Sequence, residues 1–389
     1  MECFNKKGYN IVIKDGGEKM IKVILTNEIM NRILAIDHNR FFLNTIELPP
    51  VAKNRLRKNS KKKSSYASNK IEGNPLTEKQ VEEAIESDPH KHFLKPEQEV
   101  RNYFLALNLL EEKLKHKEVF SKEMILEVQA LVEKGASKEK IGLRGAMPPG
   151  VLFAVYDSET GKPEYIPPEH VDIPELLDEL VEYVNSTDDH PLIIAAIVHY
   201  QLVTIHPFED GNGRTARLLS GYILDYYGYG FQGIGSLEEY FAYDPDEYYE
   251  SLQMGLPTLY YSGRENPPHP EIWINYFLRM MELYSKKVCE LSKESEEDGF
   301  VGSFSRLNAK EKDMLAFLLK NRLYNFAPIE VSKLLGVTNK TIINRCAKLT
   351  QNGFLIPIIV KERIRSYQVS EFSKTNERQI QEAVNLNGQ

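Results

Sequence analysis

Residues 206–217 read HPFEDGNGRTAR and directly follow an apolar run, PLIIAAIVHYQLVTI, at residues 191–205. The run predicts a helix that ends at the His-Pro pair. Apolar residues also recur at three and four spacing after the motif, over residues 218–226, and predict a second helix. The twelve residues therefore form a polar turn and helix start between two helices, which favours a mainly α-helical domain.

The turn combines side chains suited to a phosphorylated ligand. Gly211 to Gly213 precede a helix whose first N–H groups have no intrahelical partner, and such a start is an anion site. Arg214 and Arg217 can hold further phosphate oxygens, and Asp210 is a hard oxygen ligand for Mg²⁺. His206 can take a proton from an incoming hydroxyl. These residues together predict a nucleotide or diphosphate site.

Composition narrows the class of protein. The chain has 389 residues, 42% hydrophobic and 27% charged, which predicts two or three folded domains. A formal charge of -7 argues against a surface built throughout to hold nucleic acid, although one small domain could still be basic. Cys3, Cys289 and Cys346 are scattered, and no apolar signal core or membrane span is present. We expect a cytoplasmic protein without a disulfide framework.

The pattern along the chain predicts five segments. Residues 1–58, with β-like runs IVIKD and IKVILT and a short helical pattern, are expected to be an N-terminal extension, and residues 59–285 the helical domain. Within it, Thr77 and Gln80 have capping-box spacing, and about 150–167 predict a β-hairpin around a Gly-bearing turn. Residues 286–305 predict a linker, and 373–389 a polar, loosely attached tail.

Residues 306–372 predict a second domain of helix, helix-turn-helix and a two-stranded wing, with the two helices meeting at Gly336. The second helix and the wing carry polar and basic residues that suit grooves and phosphates: Asn339, Lys340, Thr341, Asn344, Arg345, Lys348, Lys361, Arg363 and Arg365. A winged helix used for dimerisation or for docking a target protein is the alternative.

HPFEDGNGRTAR resembles the Fic motif, HxFx(D/E)GNGRxxR, at every specified position. The resemblance extends over roughly residues 60–285. It implies a Fic-type helical bundle with an inserted β-hairpin flap, and transfer of AMP from ATP to a Ser, Thr or Tyr hydroxyl of a protein. The partners implied are ATP, Mg²⁺ and a protein substrate, with self-modification and a homodimer also allowed.

The resemblance also implies roles by position. His206 is the general base, Asp210 binds Mg²⁺, Gly211, Asn212 and Gly213 cradle the α- and β-phosphates, and Arg214 and Arg217 hold the triphosphate tail. Tyr165 and Ile166 end the flap that pairs with the target backbone. Tyr248 and Tyr249 resemble a pair at the adenine pocket. Glu209 stands at an unspecified motif position and inherits no role.

SNKIEG, residues 68–73, resembles the inhibitory pattern (S/T)xxxE(G/N) of Fic proteins, here on a helix at about 60–73. Ser68, Glu72 and Gly73 stand at its specified positions. The resemblance implies that Glu72 pairs with Arg217 and removes a γ-phosphate contact. Some relatives use the same glutamate to hydrolyse AMP from the target, so removal of AMP is an alternative activity.

Other functions remain open. Kinase-type transfer, as in the Doc relatives, is disfavoured by Gly213 and both arginines, whereas phosphocholine or another nucleotide could still be transferred because phosphate contacts do not read the base. A DNA-binding regulator with a nucleotide-sensing Fic core is the alternative from another class. His199 is expected to be a packing histidine.

Overall fold

The computed structural model describes residues 21–46, 48, 50–137, 140–151, 153–156, 161–257, 267–360 and 363–386. These residues form two compact units, a core unit of Met1–Arg40 and Arg57–Val288 and a C-terminal unit of Phe41–Leu56 and Cys289–Gln389. The described part of the chain is mainly helical, as the sequence predicts. None of its helices has the length and apolar character needed to cross a bilayer.

The helices, in chain order, are α1 (Asn27–Leu43), α2 (Pro50–Ile71), α3 (Glu78–Glu86), α4 (Lys95–Lys115), α5 (Lys122–Val132), α6 (Ile173–Ser186), α7 (Pro191–Ile205), α8 (Asn212–Tyr226), α9 (Glu238–Phe241), α10 (Pro245–Gln253), α11 (Pro270–Ser305), α12 (Ala309–Lys320), α13 (Pro328–Leu335), α14 (Asn339–Gln351), α15 (Glu371–Thr375) and α16 (Glu377–Leu386). The strands are β1 (Val155–Tyr156), β2 (Pro163–Tyr165), β3 (Asn325–Phe326), β4 (Leu355–Val360) and β5 (Arg363–Val369).

Helix α7 lies at the centre of the core unit. Almost all of its residues are buried, which is the expected position for a helix that is apolar on every side. It packs along α8, and α4 and α5 also pack against α8. Leu192, Ile197 and Leu219 are buried here, as is Trp273, whose indole N–H donates to Ala196 O at 2.8 Å. The loop between α7 and α8 is thus held at both ends by the core.

The start of α3 has the cap that the sequence predicts. Thr77 accepts from the Gln80 N–H, and the Gln80 side chain accepts from the Thr77 N–H, so two helix-start donors are satisfied. The N-terminal prediction is partly wrong, because IKVILT at 21–26 is not a strand, whereas α1 agrees with the short helical pattern expected there. IVIKD lies outside the described residues.

The inserted hairpin is shorter than predicted. β1 and β2 pair antiparallel through Val155 with Tyr165 and Tyr156 with Pro163. Ile166 follows β2 and is half-buried. Pro163 supplies no N–H to a ladder, which is consistent with so brief a pairing.

The C-terminal unit has the element order that the sequence predicts for helix, helix-turn-helix and hairpin. α13 and α14 meet at Gly336, whose φ of 64° is left-handed and suits glycine at a helix end. Strands β4 and β5 form an antiparallel hairpin, and β3 pairs with β5, giving the sheet order β3-β5-β4. Leu315, Ile342 and Leu349 belong to its buried core.

Two segments differ from the prediction. Residues 286–305, expected to be a linker, belong to α11, and Phe300 and Phe304 bury their rings in the C-terminal core at 5.2 Å between centroids. Within the segment expected to be a loose tail, α16 packs against α12, with Ile380 fully buried. In both segments the many charged residues hid a row of apolar residues at helical spacing from the sequence-based prediction. That apolar row packs against the rest of the C-terminal unit.

Candidate active site

The end of α7 places His206 in the lining of a cavity of about 210 Å³. His206 caps α7 with φ 49° and ψ 57°, a left-handed conformation that is uncommon for a residue with a Cβ. Its Nδ1 lies 3.3 Å from Val203 O, so a neutral ring that donates there carries its lone pair on Nε2. Burial lowers the pKa of His206 to about 4, and the nearby Arg144 charge acts in the same direction. The imidazole is therefore neutral near pH 7.

The side chain of Asn212, which also lines the cavity, braces the turn through Phe208. Its Oδ1 accepts from the Phe208 N–H at 3.0 Å, and its Nδ2 donates to Phe208 O at 2.9 Å. Both residues are buried, so this reciprocal pair fixes the path of the chain between them. Gly211 has a φ of 82° and caps α8, which leaves the first N–H groups of α8 without intrahelical acceptors.

Arg217 is held by the end of α2. Its Nε donates to Ser68 Oγ at 2.8 Å, and its Nη2 donates to Ser68 O at 3.0 Å and to Glu72 Oε1 at 2.6 Å. The neighbouring carboxylate raises the pKa of Arg217 against the effect of burial. Gly73 follows in a left-handed conformation, φ 77°, that lets the chain turn away directly after Glu72.

The Glu72 carboxylate lies close against Gly213, in the predicted phosphate-binding loop. A Cβ built at Gly213 would collide with Glu72 Oε1 and would lie 3.1 Å from Arg217 Nη1. Arg217 Nη1 is buried and has no hydrogen-bond partner among the described residues. The predicted phosphate loop thus carries one protein carboxylate and one unused guanidinium N–H.

Asp210 and Arg214 form a second group that does not line the cavity. Asp210 Oδ2 accepts from Lys140 Nζ at 2.9 Å, while Oδ1 accepts from the Gly211 N–H at 2.8 Å and from Arg214 Nη2 at 3.1 Å. Despite burial, these donors hold the pKa of Asp210 below its ordinary value. Arg214 Nη2 also lies 2.9 Å from Oε1 of the fully buried Glu133, whose pKa is raised by burial.

The predicted adenine-pocket tyrosines have different environments, although both line the cavity. Tyr248 is buried, and its hydroxyl lies 2.8 Å from His199 Nε2, while Ser220 Oγ lies 3.3 Å from His199 Nδ1. The fully buried His199 therefore has the packing role that the sequence indicates. Tyr249 is 44% exposed and is the ring of the pair that a ligand can cover.

The hairpin is anchored beside His206. Tyr165 donates its hydroxyl hydrogen to Thr204 O at 2.6 Å, and Val155, Glu164 and Tyr165 line the same cavity. Of the residues singled out from the sequence, the cavity thus brings together these: Glu72, Tyr165, His206, Asn212, Gly213, Arg217, Tyr248 and Tyr249.

Sequence reasoning missed the residues that support this site from elsewhere in the chain. Glu238 accepts from Ser64 Oγ at 2.7 Å and from the Tyr103 hydroxyl at 2.9 Å, so a buried carboxylate holds α2 against α4. Lys140 and Glu133 were missed for the same reason. Each is an ordinary charged residue in the sequence, and only the tertiary contact gives it significance.

The predicted nucleic-acid face lies in the C-terminal unit. On α14, Asn339, Lys340, Asn344 and Lys348 are exposed, Thr341 and Arg345 are partly buried, and Arg363 and Arg365 are exposed on β5. Lys361 lies outside the described residues. Lys340, Asn344 and Lys348 follow a spacing of four residues, so these three share one face of α14.

Comparisons with known proteins agree with the motif. The Fic/DOC family model matches residues 119–224. A protein adenylyltransferase Fic of Drosophila grimshawi is 30% identical over 212 residues, which are 51% of this chain and 40% of that protein. One of Nematostella vectensis is 45% identical over 64 residues, 16% of this chain and 15% of that protein. The chain therefore spans less than half the length of these curated relatives.

Solved structures share the fold. A Fic family protein from Desulfovibrio desulfuricans G20 aligns with a TM-score of 0.55 at 19% identity, covering 90% of this chain and 97% of that one. Fic-1 from C. elegans aligns with a TM-score of 0.52 at 23% identity, covering 69% of this chain and 73% of that one. Both likenesses concern the fold alone.

Proposed function

Because the chain carries a Fic domain, matched over residues 119–224, we propose that it is a self-inhibited protein adenylyltransferase. It transfers AMP from ATP to a Ser, Thr or Tyr hydroxyl of a protein and releases pyrophosphate. One observation carries the proposal: His206, Gly213, Arg217 and Tyr249 line the same cavity. A proton acceptor, an anion-binding helix start, a guanidinium and an aromatic ring then face one ligand.

The reaction uses these groups in order. The target hydroxyl oxygen forms a bond to the α-phosphorus of ATP while the bond from that phosphorus to the pyrophosphate oxygen breaks. His206 Nε2 takes the hydroxyl proton, because its pKa of about 4 keeps the ring neutral and able to accept it. The Gly213 N–H and Arg217 Nη1 stabilise the negative charge on the phosphates.

A magnesium ion fits the donor set at Asp210. Magnesium in proteins commonly binds one or two carboxylates together with the phosphates of the substrate. A single carboxylate such as Asp210 therefore suits it, although the described residues contain no cluster of three or more His, Cys, Asp or Glu that could hold a metal. Asp210 would hold it, in exchange for the Lys140 contact at 2.9 Å. When bound with ATP, the ion neutralises phosphate charge and favours departure of pyrophosphate.

The same contacts support self-inhibition. Glu72 brings a negative charge onto Gly213 and takes one arm of Arg217 at 2.6 Å. A γ-phosphate would need that arm, and two anions repel each other in a partly buried site. Glu72 therefore opposes the productive ATP pose. Glu72 is also placed near enough to the phosphate loop to serve in removing AMP, which the experiment below separates.

The test compares two labelled substrates. The Glu72→Gly protein is incubated with a lysate and either [α-³²P]ATP or [γ-³²P]ATP, and mass spectrometry identifies the adduct. Label from the α position only, abolished in the Glu72→Gly/His206→Ala double variant, is the expected result. Label from the γ position only would identify kinase-type transfer and refute the proposal. A chase of the labelled target with wild-type and Glu72→Gly protein measures AMP removal.

A second candidate function concerns the C-terminal unit, which we propose binds DNA through α14 and the β4–β5 hairpin. Exposed Lys340, Lys348 and Arg365 favour it, because such side chains suit phosphate contacts. Binding should weaken steeply with salt, and Lys340→Ala should reduce the salt slope by about 1. Lys333→Ala, an exposed lysine on α13, is the control. Absence of a salt-dependent shift would leave dimerisation or target docking as the role.

A further inference from the structure

Arg144 holds the backbone around His206. The Arg144 N–H donates to Pro207 O at 2.9 Å, and Nε donates to His206 O at 2.8 Å. Nη2 donates to Pro168 O, in the segment that follows the hairpin. Arg144 is only 5% exposed, so these bonds are protected from water. One side chain and its own N–H thus join the motif loop to the exit of the hairpin.

These bonds stabilise an unfavourable backbone conformation at the end of α7. A left-handed residue with a Cβ costs of order 1 kcal/mol and persists only where its surroundings hold it. His206 has that conformation, and the following Pro207 supplies no N–H that could stabilise the turn. Two donors from Arg144 fix the carbonyls of His206 and Pro207, which follow the Cα that carries the imidazole, so they restrain the direction of the ring.

A ring adds to the restraint. The Arg144 guanidinium carbon lies 4.7 Å from the centroid of the Phe153 ring, and the same ring lies 5.9 Å from that of His206. Phe153 lies two residues before the start of β1. The guanidinium, the aromatic ring and the imidazole therefore form one packed group at the base of the hairpin.

We propose that Arg144 is a positioning residue for the transfer reaction, which fixes the left-handed backbone of His206 and ties it to the hairpin through Pro168. The inference rests on the proposed function, in which His206 takes the proton of the target hydroxyl, and on the target-pairing role that the resemblance implies for the hairpin. Arg144 then keeps the proton acceptor and the incoming hydroxyl in one relative position. Misplacement of about 1 Å between such groups can cost about a hundredfold in rate.

Charge gives a second, separable signature. The charged groups that act on His206 are Arg144 before the hairpin, Glu72 after α2 and Asp210 in the motif turn. The two carboxylates raise the pKa of His206, and Arg144 lowers it. Removing the positive charge at 144 should therefore raise that pKa, whereas lysine should preserve the charge but lose the forked geometry.

The experiment uses the Glu72→Gly protein and adds Arg144→Lys or Arg144→Gln. We expect both to lower kcat about tenfold or more while the KM for ATP changes less than about twofold. Arg144→Gln should also shift the acid limb of the pH profile to higher pH. Arg101→Gln is the matched control, because Arg101 also donates to two backbone carbonyls and covers a phenylalanine ring at 4.0 Å, away from the cavity.

NMR titration of labelled histidine tests the same role without activity. The pKa of His206 should rise in Arg144→Gln and stay near the parent value in Arg144→Lys. Unchanged titration together with unchanged kcat would overturn the inference, and so would a fall in kcat that only follows the folded fraction and recurs in Arg101→Gln. Complete absence of AMP transfer from the parent would refute the proposed function, while the titration would still show whether the Arg144 charge acts on the His206 ring.

Discussion

Glu72 and Arg217 are 145 residues apart in the chain and form an ion pair at 2.6 Å, with the guanidinium only 1% exposed. Ser68, one helical turn before Glu72, takes two more donors of the same guanidinium. Among the described residues, the hydrogen bonds that Arg217 makes through Nε and Nη2 all go to the end of α2, while Nη1 is buried without a hydrogen-bond partner. The state of Arg217 depends on whether that helix end stays in place.

Replacing Glu72 by glycine should raise AMP incorporation about tenfold or more. A hydrogen bond to a charged group contributes about 1.5–3 kcal/mol, and its loss releases Nη2 for a phosphate. Incorporation is measured with [α-³²P]ATP at matched magnesium. Lys70→Gly is the control, because it loosens the same helix end without removing a carboxylate. Equal incorporation by wild type and Glu72→Gly would contradict the inhibitory role.

A methyl group at Gly213 should be tolerated only without the Glu72 carboxylate. Its Cβ would collide with Glu72 Oε1, and overpacking of this kind costs about 1–3 kcal/mol. We expect Gly213→Ala to lower the free energy of unfolding in the wild type and to cost clearly less in the Glu72→Gly background. Urea unfolding of the four proteins gives the coupling. Additive effects would mean that the carboxylate does not occupy this position.

Substitutions at the two cavity tyrosines should have different effects, on stability at Tyr248 and on ATP binding at Tyr249. Tyr248→Phe leaves His199 Nε2 buried without its partner at 2.8 Å and should cost about 1–3 kcal/mol of stability. Tyr249→Phe should change stability by less than about 0.5 kcal/mol. Tyr249→Ala should instead raise the KM for ATP. Thermal unfolding and steady-state kinetics check the pair, and equal loss of stability in both phenylalanine variants would contradict it.

Acid should destabilise the protein through His206. Its pKa is lowered from 6.5 to about 4 on folding, so between these values the unfolded chain binds more protons than the folded one. Stability from this group is complete above about pH 6.5 and is lost as pH falls toward 4, by up to about 1.4 kcal/mol per pH unit. His206→Gln should be less sensitive over that range. Urea titrations at pH 7 and pH 5 compare the two proteins.

Lys140 should compete with magnesium for Asp210. Lys140→Gln removes the positive charge 2.9 Å from Oδ2, so half-maximal AMP transfer should require less magnesium than in the parent. The effect is measured in the Glu72→Gly background at saturating ATP. Lys134→Gln, a nearby lysine that does not contact Asp210 among the described residues, is the control. An unchanged magnesium requirement would indicate that Lys140 moves aside at no cost.

The parts of the site that are contiguous in sequence could be predicted, and the parts that converge from a distance could not. The α7 end, the motif turn and the α8 start follow from one apolar run and one turn, and the Thr77 cap from two residues. The roles of Glu238 and Arg144 depend on which helices and loops come into contact, and no local sequence pattern shows that. Glu72 was found only because a motif marked it.

Local charge misled the prediction at the C-terminal end of the chain. Residues 286–305 are rich in charge, but Phe300 and Phe304, four residues apart, lie on one helical face and are buried. Ile380 is likewise buried, although it belongs to a segment that the sequence predicts to be loosely attached. A few apolar residues at helical spacing were sufficient for packing, because a partner surface existed for them in the C-terminal unit.

The glycine at 213 has a consequence for regulation. A loop open enough to admit a phosphate also admits the carboxylate of its own chain, and a phosphate and Glu72 would compete for the Arg217 guanidinium. Because Glu72 belongs to the same folded chain as the loop, its presence there does not depend on the concentration of the protein. Under the proposed function, the extent of inhibition by Glu72 would therefore depend on the concentration of ATP and not on the concentration of the protein.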